Sequence, residues 1–399
     1  MRVAVIGGGG REHAIIKSLK KSPKVSEIYA LPGNGGIAED AECVAIGAKD
    51  LDKITEWCVK EHMDYVVVAP DDPLVLGLVD MLNEKGIPCF GPTKAAAIIE
   101  GSKAFSKDLM KKYGIPTAEY ETFDDMDKAL EYVQNCRIPV VIKADGLALG
   151  KGVIIAETRE DAVEGIHTIM EERKFGASGD TVVIEEFLEG PEVSVLSFTD
   201  GKTVRPMVST IAPNPYYTDD VAAECMEKIF LPTIHAMEKE GRTFKGCLYF
   251  GLMITKDGPK VIEYNSRFGD PETQVVLPLL EGDLFEIMQA TTDGTLDRVD
   301  FSFADKCACC LVAASEGYPV SYEKGFEITL PEKHDRIFIA GSRLEDGVQR
   351  TSGGRVLGVT EVADTLQEAV DKAYATMKTV HFDNMYYRKD ICAKALEVK

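Results

Sequence analysis

The 399-residue chain is long enough for two to four domains, and 45% hydrophobic residues give each of them material for a core. A net charge of −21 argues against a general nucleic-acid or membrane-surface binder, while leaving room for a local basic pocket around a phosphorylated ligand. The N-terminus has no signal-peptide pattern and no run approaches the length of a membrane span, so a cytoplasmic protein is expected.

Residues 2–6 (R-V-A-V-I) form a buried-strand run, followed by Gly7 to Gly10 and an apolar-periodic helix. Strand signals recur at Glu27 to Ala30 and Tyr65 to Ala69, with helical stretches at Leu51 to Lys60 and Leu74 to Lys85. Such alternation predicts a parallel sheet flanked by helices. The glycine turn does not carry the dinucleotide fingerprint, because the third glycine position falls on Glu12 or His13. What remains is an anion site: free backbone N–H groups at a helix N-terminus, with Arg11 adding charge. A glycine turn required only for tight packing is the competing reading. Asn34, in P-G-N-G-G (32–36), and Pro70-Asp71-Asp72-Pro73 fall at the carboxyl ends of neighbouring strands, where ligands of open α/β sheets bind.

A boundary is expected near Glu100 to Lys103. A lysine-bearing helix (Lys103 to Tyr113) follows and is broken by Gly114-Ile115-Pro116. The run from Pro139 to Ile155 reads as a strand ending in Lys143, a glycine-rich loop and a second strand. Its spacing excludes a Walker A loop, since Gly146 and Gly150 enclose three residues and Gly152 follows Lys151. Glycines permit backbone approach to phosphate oxygens and the two lysines supply charge, so a hairpin with a phosphate flap is expected. Thr181 to Phe187, the Gly190-Pro191 turn and Glu192 to Phe198 read as strand, turn, strand, with acidic residues at the tip.

The densest chemistry lies in K-V-I-E-Y-N-S-R-F-G-D-P-E-T-Q (260–274). In an extended chain Glu263, Asn265 and Arg267 point to one side. Carboxylate and amide oxygens suit a hard divalent cation, and a guanidinium suits phosphate oxygens. A solvated strand end with an ion pair is the competing reading. From Phe301 onward, strands alternate with turns ahead of a helix at Thr365 to Val380, an α+β pattern. The ten cysteines are scattered, and Cys307, Cys309 and Cys310 sit in an apolar strand-like run, which predicts reduced core thiols rather than a metal site.

Taken in order, V-I-G-G-G-G-R-E-H-A (5–14), P-G-N-G-G (32–36), F-G-P-T (90–93), E-G-S-K-A-F-S-K (100–107), K-A-D-G-L-A-L-G-K-G (143–152), I-E-E-F-L-E-G (184–190), E-Y-N-S-R-F-G-D-P-E-T-Q (263–274), G-G-R-V-L (353–357) and Y-R-K-D-I (387–391) make the chain resemble the glycinamide ribonucleotide synthetase family of the ATP-grasp superfamily over nearly its whole length. The resemblance implies an N-terminal parallel-sheet domain (1–101), an ATP-grasp domain (102–300) with a flap subdomain at about 115–187, and a small C-terminal α+β domain (301–399). It implies ligation of glycine to 5-phosphoribosylamine with ATP cleaved to ADP and phosphate, the second step of de novo purine synthesis, using Mg²⁺ or Mn²⁺, by a monomer or weak dimer.

Carried over by motif, Lys103 and Lys143 resemble the nucleotide-phosphate lysines, with Gly150, Lys151 and Gly152 in the flap. Glu185, Glu186, Phe187 and Leu188 resemble the adenine-binding strand, and Glu192 the ribose-binding acid. Glu263 and Asn265 match metal ligands. Arg267 and Asp270 are expected to face the reacting phosphoryl group and the glycine as catalytic residues. Gly8, Gly9, Gly10, Arg11, Glu12 and Asn34 resemble the phosphoribosylamine pocket. Gly353-Gly354-Arg355 reads either as a phosphate contact or as a hairpin turn.

One departure is large. After V-R-P-M-V-S (204–209) the family pattern continues with a D-H-K-R-like start and an N-T-G-G-M-G loop, whereas this chain passes directly to Ile211 and A-P-N-P-Y-Y-T (212–218). The gap reads as a loop left out of the recorded sequence, an engineered deletion, or a natural loss leaving a nucleotide-binding pseudoenzyme. An ATP-grasp ligase with another carboxylate or amine substrate is the remaining alternative, and the unbroken R-F-G-D-P-E-T-Q argues against it.

Overall fold

The structure is a computed structural model and describes residues 1–147, 152–172, 176–208 and 214–397. Its first hundred residues form a five-stranded, wholly parallel sheet in the order Glu42–Cys43, Glu27–Pro32, Arg2–Gly7, Tyr65–Val68, Cys89–Phe90. The central strands are continuous apolar runs because helices cover both faces. The predicted helix at 74–85 is instead two short helices, Asp71–Leu76 and Leu78–Glu84, parted at Gly77, whose φ of +103° closes the first one in the left-handed region.

Helices Lys94–Gly101 and Lys103–Tyr113 lead into the middle of the chain. Ser102 caps the second, its Oγ accepting from the Phe105 N–H, and Gly114 ends it at φ +67°. Two antiparallel sheets follow. One has the order Tyr120–Phe123, Val182–Glu186, Val140–Ala144, Val153–Ala156. The other runs Val204–Pro206, Glu192–Thr199, Gly246–Thr255, Gly258–Asn265. The segment Thr181 to Phe198 is therefore not a hairpin: its two strands belong to different sheets, and the Gly190-Pro191 turn carries the chain from one to the other. Alternation and turn residues announce a hairpin equally well, since pairing partners are set by long-range packing.

The C-terminal part is a four-stranded antiparallel sheet in the order Ile337–Ile339, Arg355–Ala363, Cys307–Ser315, Met385–Tyr386, covered by helix Leu366–Met377. Cys307 and Cys309 are buried in its core, as the apolar run predicts. This sheet is bolted to the N-terminal helix Gly10–Leu19. The buried His13 accepts from the Ile339 N–H through Nδ1 at 2.8 Å, and its Nε2 meets Asp40 at 3.1 Å. Lys17 Nζ donates to the carbonyls of His334, Asp335 and Ile337. The aromatic rings of Phe90, Phe198, Phe268 and Phe301 pack at the junction beneath the 260–274 segment, with Phe268 at 5.8 Å from Phe198 and 5.9 Å from Phe90. That anchor fixes the backbone beside Arg267.

Candidate active site

A cavity of about 560 Å³ opens between the N-terminal part, the two central antiparallel sheets and the C-terminal sheet, lined among others by Arg11, Asp71, Glu100, Lys103, Lys107, Lys143, Gly152, Glu185, Tyr249, Glu263, Asn265, Arg267, Asp270, Glu272, Tyr318 and Arg355. Residues more than 240 positions apart in sequence thus share one wall, and most of the side chains that line it are polar or charged.

Its basic side is built from two elements. On helix Lys103–Tyr113, Lys103 and Lys107 are four residues apart and so share a face. The helix start is tied to the end of strand Val140–Ala144 by Asp145, whose Oδ1 accepts from the Ala104 N–H at 2.7 Å and from Ser102 Oγ at 3.0 Å. On that strand, Lys143 lies diagonally across from Glu185, because Val141 is the partner of Glu185 in register. The Glu185 carboxylate, 3% exposed, sits between Lys107 Nζ at 2.8 Å and Lys143 Nζ at 3.0 Å. Lys143 also donates to the Ile262 carbonyl at 3.1 Å. Ile262 is the extra residue of a β-bulge between the pairs Gly251–Glu263 and Leu252–Val261. Lys103 donates to the Gly146 carbonyl at 2.9 Å. Burial pulls the Lys103 ammonium below its ordinary value against the attraction of Glu263, and pulls Lys107 down to about 8 against that of Glu185. Two cations held at a dehydrated wall with only part of their charge compensated are suited to receive phosphate oxygens.

The acidic side follows strand Gly258–Asn265. Glu263 and Asn265 project from one face, and Gly251 opposite leaves room, since a Cβ there would lie 3.0 Å from Glu263 Cγ. The strand ends at Asn265, yet Arg267 returns to the same wall beyond it. Asn265 Nδ2 donates to Glu263 Oε1 at 3.2 Å, and Arg267 donates to Asn265 Oδ1 at 3.2 Å. The two oxygen-donor side chains fit a hard divalent cation. Among the described residues no group of three or more His, Cys, Asp or Glu forms a metal cage. The pair therefore suits an ion that takes its other ligands from substrate phosphates and water.

Arg267 is held from below by a residue that the sequence reading did not single out. Glu100 is buried at the end of helix Lys94–Gly101; its Oε2 accepts from the Ser266 N–H at 2.7 Å and Ser266 Oγ at 2.8 Å, and its Oε1 lies 3.2 Å from Arg267. Burial raises the Glu100 carboxyl above its ordinary value, opposed by Arg267. Asp270 accepts from Gln274 Nε2 at 2.7 Å and pairs with Arg355 at 3.3 Å, while Arg355 also donates to the Asp270 carbonyl at 2.7 Å. Arg355 thus reaches the cavity from the C-terminal sheet, and Gly354 beside it accommodates the Tyr318 ring, 2.1 Å from where a Cβ would stand.

Other expected site residues are placed differently. Arg11 lines the cavity, but its Nε donates to Glu12 at 2.6 Å and its guanidinium to the Phe268 carbonyl. The N–H of Gly9 is occupied by Glu12 Oε2 at 2.6 Å, so the helix start is capped by its own carboxylate rather than left free for an anion. Gly8, Gly9, Gly10 and Glu12 stand behind the wall; Gly8 allows the backbone to touch Gly33, whose carbonyl oxygen is 2.3 Å from the position of a Cβ. Asn34 is spent as a clamp. Its amide donates to the Gly8 and Ile339 carbonyls and its oxygen accepts from the Gly36 and Ile37 N–H groups, all between 2.8 and 2.9 Å.

Glu186, Phe187 and Leu188 line a second cavity of about 430 Å³ on the other side of Glu185, together with Arg137, Val140 and Lys260. Glu185 borders both. Glu192 is exposed and lines neither; its carboxyl is raised by desolvation and by the nearby charge of Glu263. Gly150 and Lys151, and the junction after Ser209, lie outside the described residues. Besides Glu100, the sequence reading gave no role to Lys107, Tyr249, Glu272 or Tyr318. For Lys107 a signal existed, the four-residue spacing from Lys103.

Family models match in chain order: the phosphoribosylglycinamide synthetase N domain over residues 1–100, its ATP-grasp (A) domain over 101–211 and 208–273, and its C domain over 308–394. The chain belongs to the phosphoribosylglycinamide synthetase family. A phosphoribosylamine–glycine ligase of Caldanaerobacter subterraneus subsp. tengcongensis is 45% identical over 415 aligned positions, covering 98% of this chain and 100% of the relative. One of Clostridium acetobutylicum is also 45% identical, covering 98% and 99%. A crystal structure of the Thermotoga maritima phosphoribosylamine–glycine ligase superimposes with a TM-score of 0.85 at 34% identity, covering 98% and 100%. The ATP-grasp architecture extends to the biotin carboxylase domain of the Hydrogenobacter thermophilus 2-oxoglutarate carboxylase, with a TM-score of 0.76 at 17% identity. The middle model matches in two pieces that meet at 208–211, where the sequence departs from the family pattern. The reading as a pseudoenzyme gains no support from these relatives. Among the described residues no helix is long and apolar enough to cross a membrane.

Proposed function

We propose that this protein joins glycine to 5-phosphoribosylamine, cleaving ATP to ADP and phosphate and releasing glycinamide ribonucleotide, the second step of purine biosynthesis. Full-length similarity to phosphoribosylamine–glycine ligases carries this reading. The cavity supports it, because it brings paired lysines, an oxygen-donor pair and an arginine to one wall. In this reading residues 1–101 bind phosphoribosylamine, 102–300 form the ATP-grasp unit with its flap at about 115–187, and 301–399 close the site from the side of Arg355. The protein acts in the cytoplasm as a monomer or weak dimer.

Lys103 and Lys143 hold the nucleotide phosphates, and Glu185 to Leu188 border the adenine. Glu263 and Asn265 would hold Mg²⁺ or Mn²⁺, which when bound supplies charge neutralisation at the phosphates. Glycine carboxylate attacks the γ-phosphate, and Arg267 faces the charge that develops on the transferred group. Its carboxylate neighbours Glu100 and Asp71 keep the guanidinium oriented before the substrate arrives. Water would hydrolyse the glycyl phosphate so formed if it reached it, which gives a closing glycine flap a purpose. Phosphoribosylamine then displaces phosphate, and no protein nucleophile is needed.

The deciding measurement is ADP release from ATP with glycine and freshly made phosphoribosylamine. Glycine-dependent ADP release, with glycinamide ribonucleotide formed only when phosphoribosylamine is also present, is the expected result. Binding of ATP without any glycine-dependent ADP would favour a nucleotide-binding variant instead.

A further inference from the structure

Six carboxylates line the main cavity: Asp71, Glu100, Glu185, Glu263, Asp270 and Glu272. Five are engaged. Asp71 caps the Asp72 N–H and lies 4.0 Å from Arg267. Glu100 serves Ser266 and Arg267, and Glu185 serves two lysines. Glu263 accepts from Asn265, and Asp270 is fixed by Gln274 and Arg355. Among the described residues Glu272 has no ion pair and accepts no hydrogen bond from another side chain or backbone group; its close contact is its own backbone N–H.

Its placement is specific. Helix Glu272–Val276 packs against helix Gly10–Leu19 and strand Cys307–Ser315, so Glu272 stands where the N-terminal and C-terminal parts meet the cavity. The carboxylate folds back over Gly269: a Cβ at that position would lie 2.3 Å from Glu272 Oε2 and 2.8 Å from its Cδ. Only glycine at 269 leaves this carboxylate its place. The charged and titratable groups facing it are Arg267 and Asp270 from its own loop, Arg355 from strand Arg355–Ala363, Tyr249 from strand Gly246–Thr255, and the Cys310 thiol from strand Cys307–Ser315.

We propose that Glu272 accepts the proton lost by the phosphoribosylamine nitrogen as that nitrogen attacks glycyl phosphate. The inference rests on the ligase reading above. The nitrogen lone pair forms the new C–N bond, the acyl carbon–oxygen bond of the C–O–P linkage breaks, and phosphate leaves with that electron pair. The amine, having made a fourth bond, must shed an N–H proton to become the amide, and the Glu272 carboxylate takes it and returns it to solvent. A base whose oxygens already accept a hydrogen bond or pair with a cation is a poorer acceptor, which sets Glu272 apart from its five neighbours. Burial, aided by Asp270 and opposed by Arg267 and Arg355, lifts the Glu272 carboxyl above its ordinary value, in the direction that strengthens a general base at neutral pH.

The test separates the two half-reactions in the full chain. Hydroxylamine, a nucleophile that needs no enzymic base, traps glycyl phosphate made from ATP and glycine as glycine hydroxamate. Single-turnover formation of glycinamide ribonucleotide with phosphoribosylamine reports the second step. Glu272→Gln should keep most of the hydroxamate rate while slowing the second step by about 10²-fold, and the acid limb of its pH profile should vanish. Equal loss in both half-reactions, or an unchanged second step, overturns the assignment. Should the glutamine variant not fold, Glu272→Asp carries the same comparison: its carboxylate sits one methylene short, and about tenfold loss confined to the second step is expected. An unsubstituted protein that makes neither hydroxamate nor product overturns the ligase reading itself, a result distinct from failure of the Glu272 assignment.

Discussion

Replacing Glu100 by glutamine separates a positioning role from a stabilising one. The glutamine keeps the shape and can still accept from the Ser266 N–H and Oγ with its oxygen. Its NH₂ group then faces the Arg267 guanidinium, donor against donor, where a carboxylate oxygen stood at 3.2 Å. At that separation the direct attraction is about 5 kcal/mol for an effective dielectric constant near 20. Desolvation of both ions and the remaining pull of Asp71 at 4.0 Å and Asn265 at 3.2 Å offset much of it, leaving about 1 to 2 kcal/mol on the orientation of Arg267. If that orientation is needed only when charge develops on the phosphoryl group, kcat should fall about 5- to 30-fold with KM for ATP little changed. Stability should move the other way. The Glu100 carboxyl is raised above 4.5, so between that value and its folded value the native state binds more protons than the unfolded chain. Its favourable contribution is present below 4.5 and is lost as pH rises through the folded value. At neutral pH the charge is a burden that glutamine removes, and the melting temperature should hold or rise. Steady-state kinetics and differential scanning calorimetry at pH 7.5 read both. A variant with unchanged kcat, or one whose lost activity tracks a lower melting temperature, refutes the reasoning.

Three other substitutions follow from the site. Glu263→Gln should weaken divalent-cation dependence and cost about 2 to 4 kcal/mol in the barrier, seen as a fall in kcat with a raised metal requirement; unchanged turnover would remove Glu263 from the ligand set. Lys107→Met leaves the buried Glu185 with Lys143 as its one remaining cation. That ammonium is then drawn toward Glu185 and away from phosphate, so calorimetry should show ATP binding weakened about tenfold, with about 2 kcal/mol lost from stability in urea unfolding. Asn34→Ala removes two hydrogen bonds that join the 32–37 loop to Gly8 and to Ile339 of the C-terminal sheet, and two more from the Gly36 and Ile37 N–H groups that brace the loop itself, and should cost about 2 to 4 kcal/mol in thermal unfolding. KM for ATP should stay constant in that variant, since Asn34 does not line the cavity.

The features that the sequence makes legible are those whose reason is local. The buried runs at 2–6 and 65–69 and the helix at 103–113 each carry their own period, and the structure follows them to within a residue or two, while the extended run expected from Lys260 on is a strand only as far as Asn265. Motif order then brought Lys103, Lys143, Glu263, Asn265, Arg267 and Asp270 into one expectation, and one cavity holds all six. What the sequence does not announce arises where a residue's partner is remote. Nothing near position 34 announces that the Asn34 amide is saturated by Ile339, 305 residues away, and nothing near position 12 except the glycine turn itself shows Glu12 capping Gly9. Glu100 and Ser266 meet across 166 residues, and the strands on either side of Gly190-Pro191 part into two sheets because each finds a better neighbour elsewhere. A motif therefore names side chains that share a task, while the groups that aim and charge them are chosen by tertiary packing. Arg267 is the clearest case: its place in R-F-G-D-P-E-T-Q marks it as chemistry, but the carboxylate that orients it comes from a helix end written 167 residues earlier.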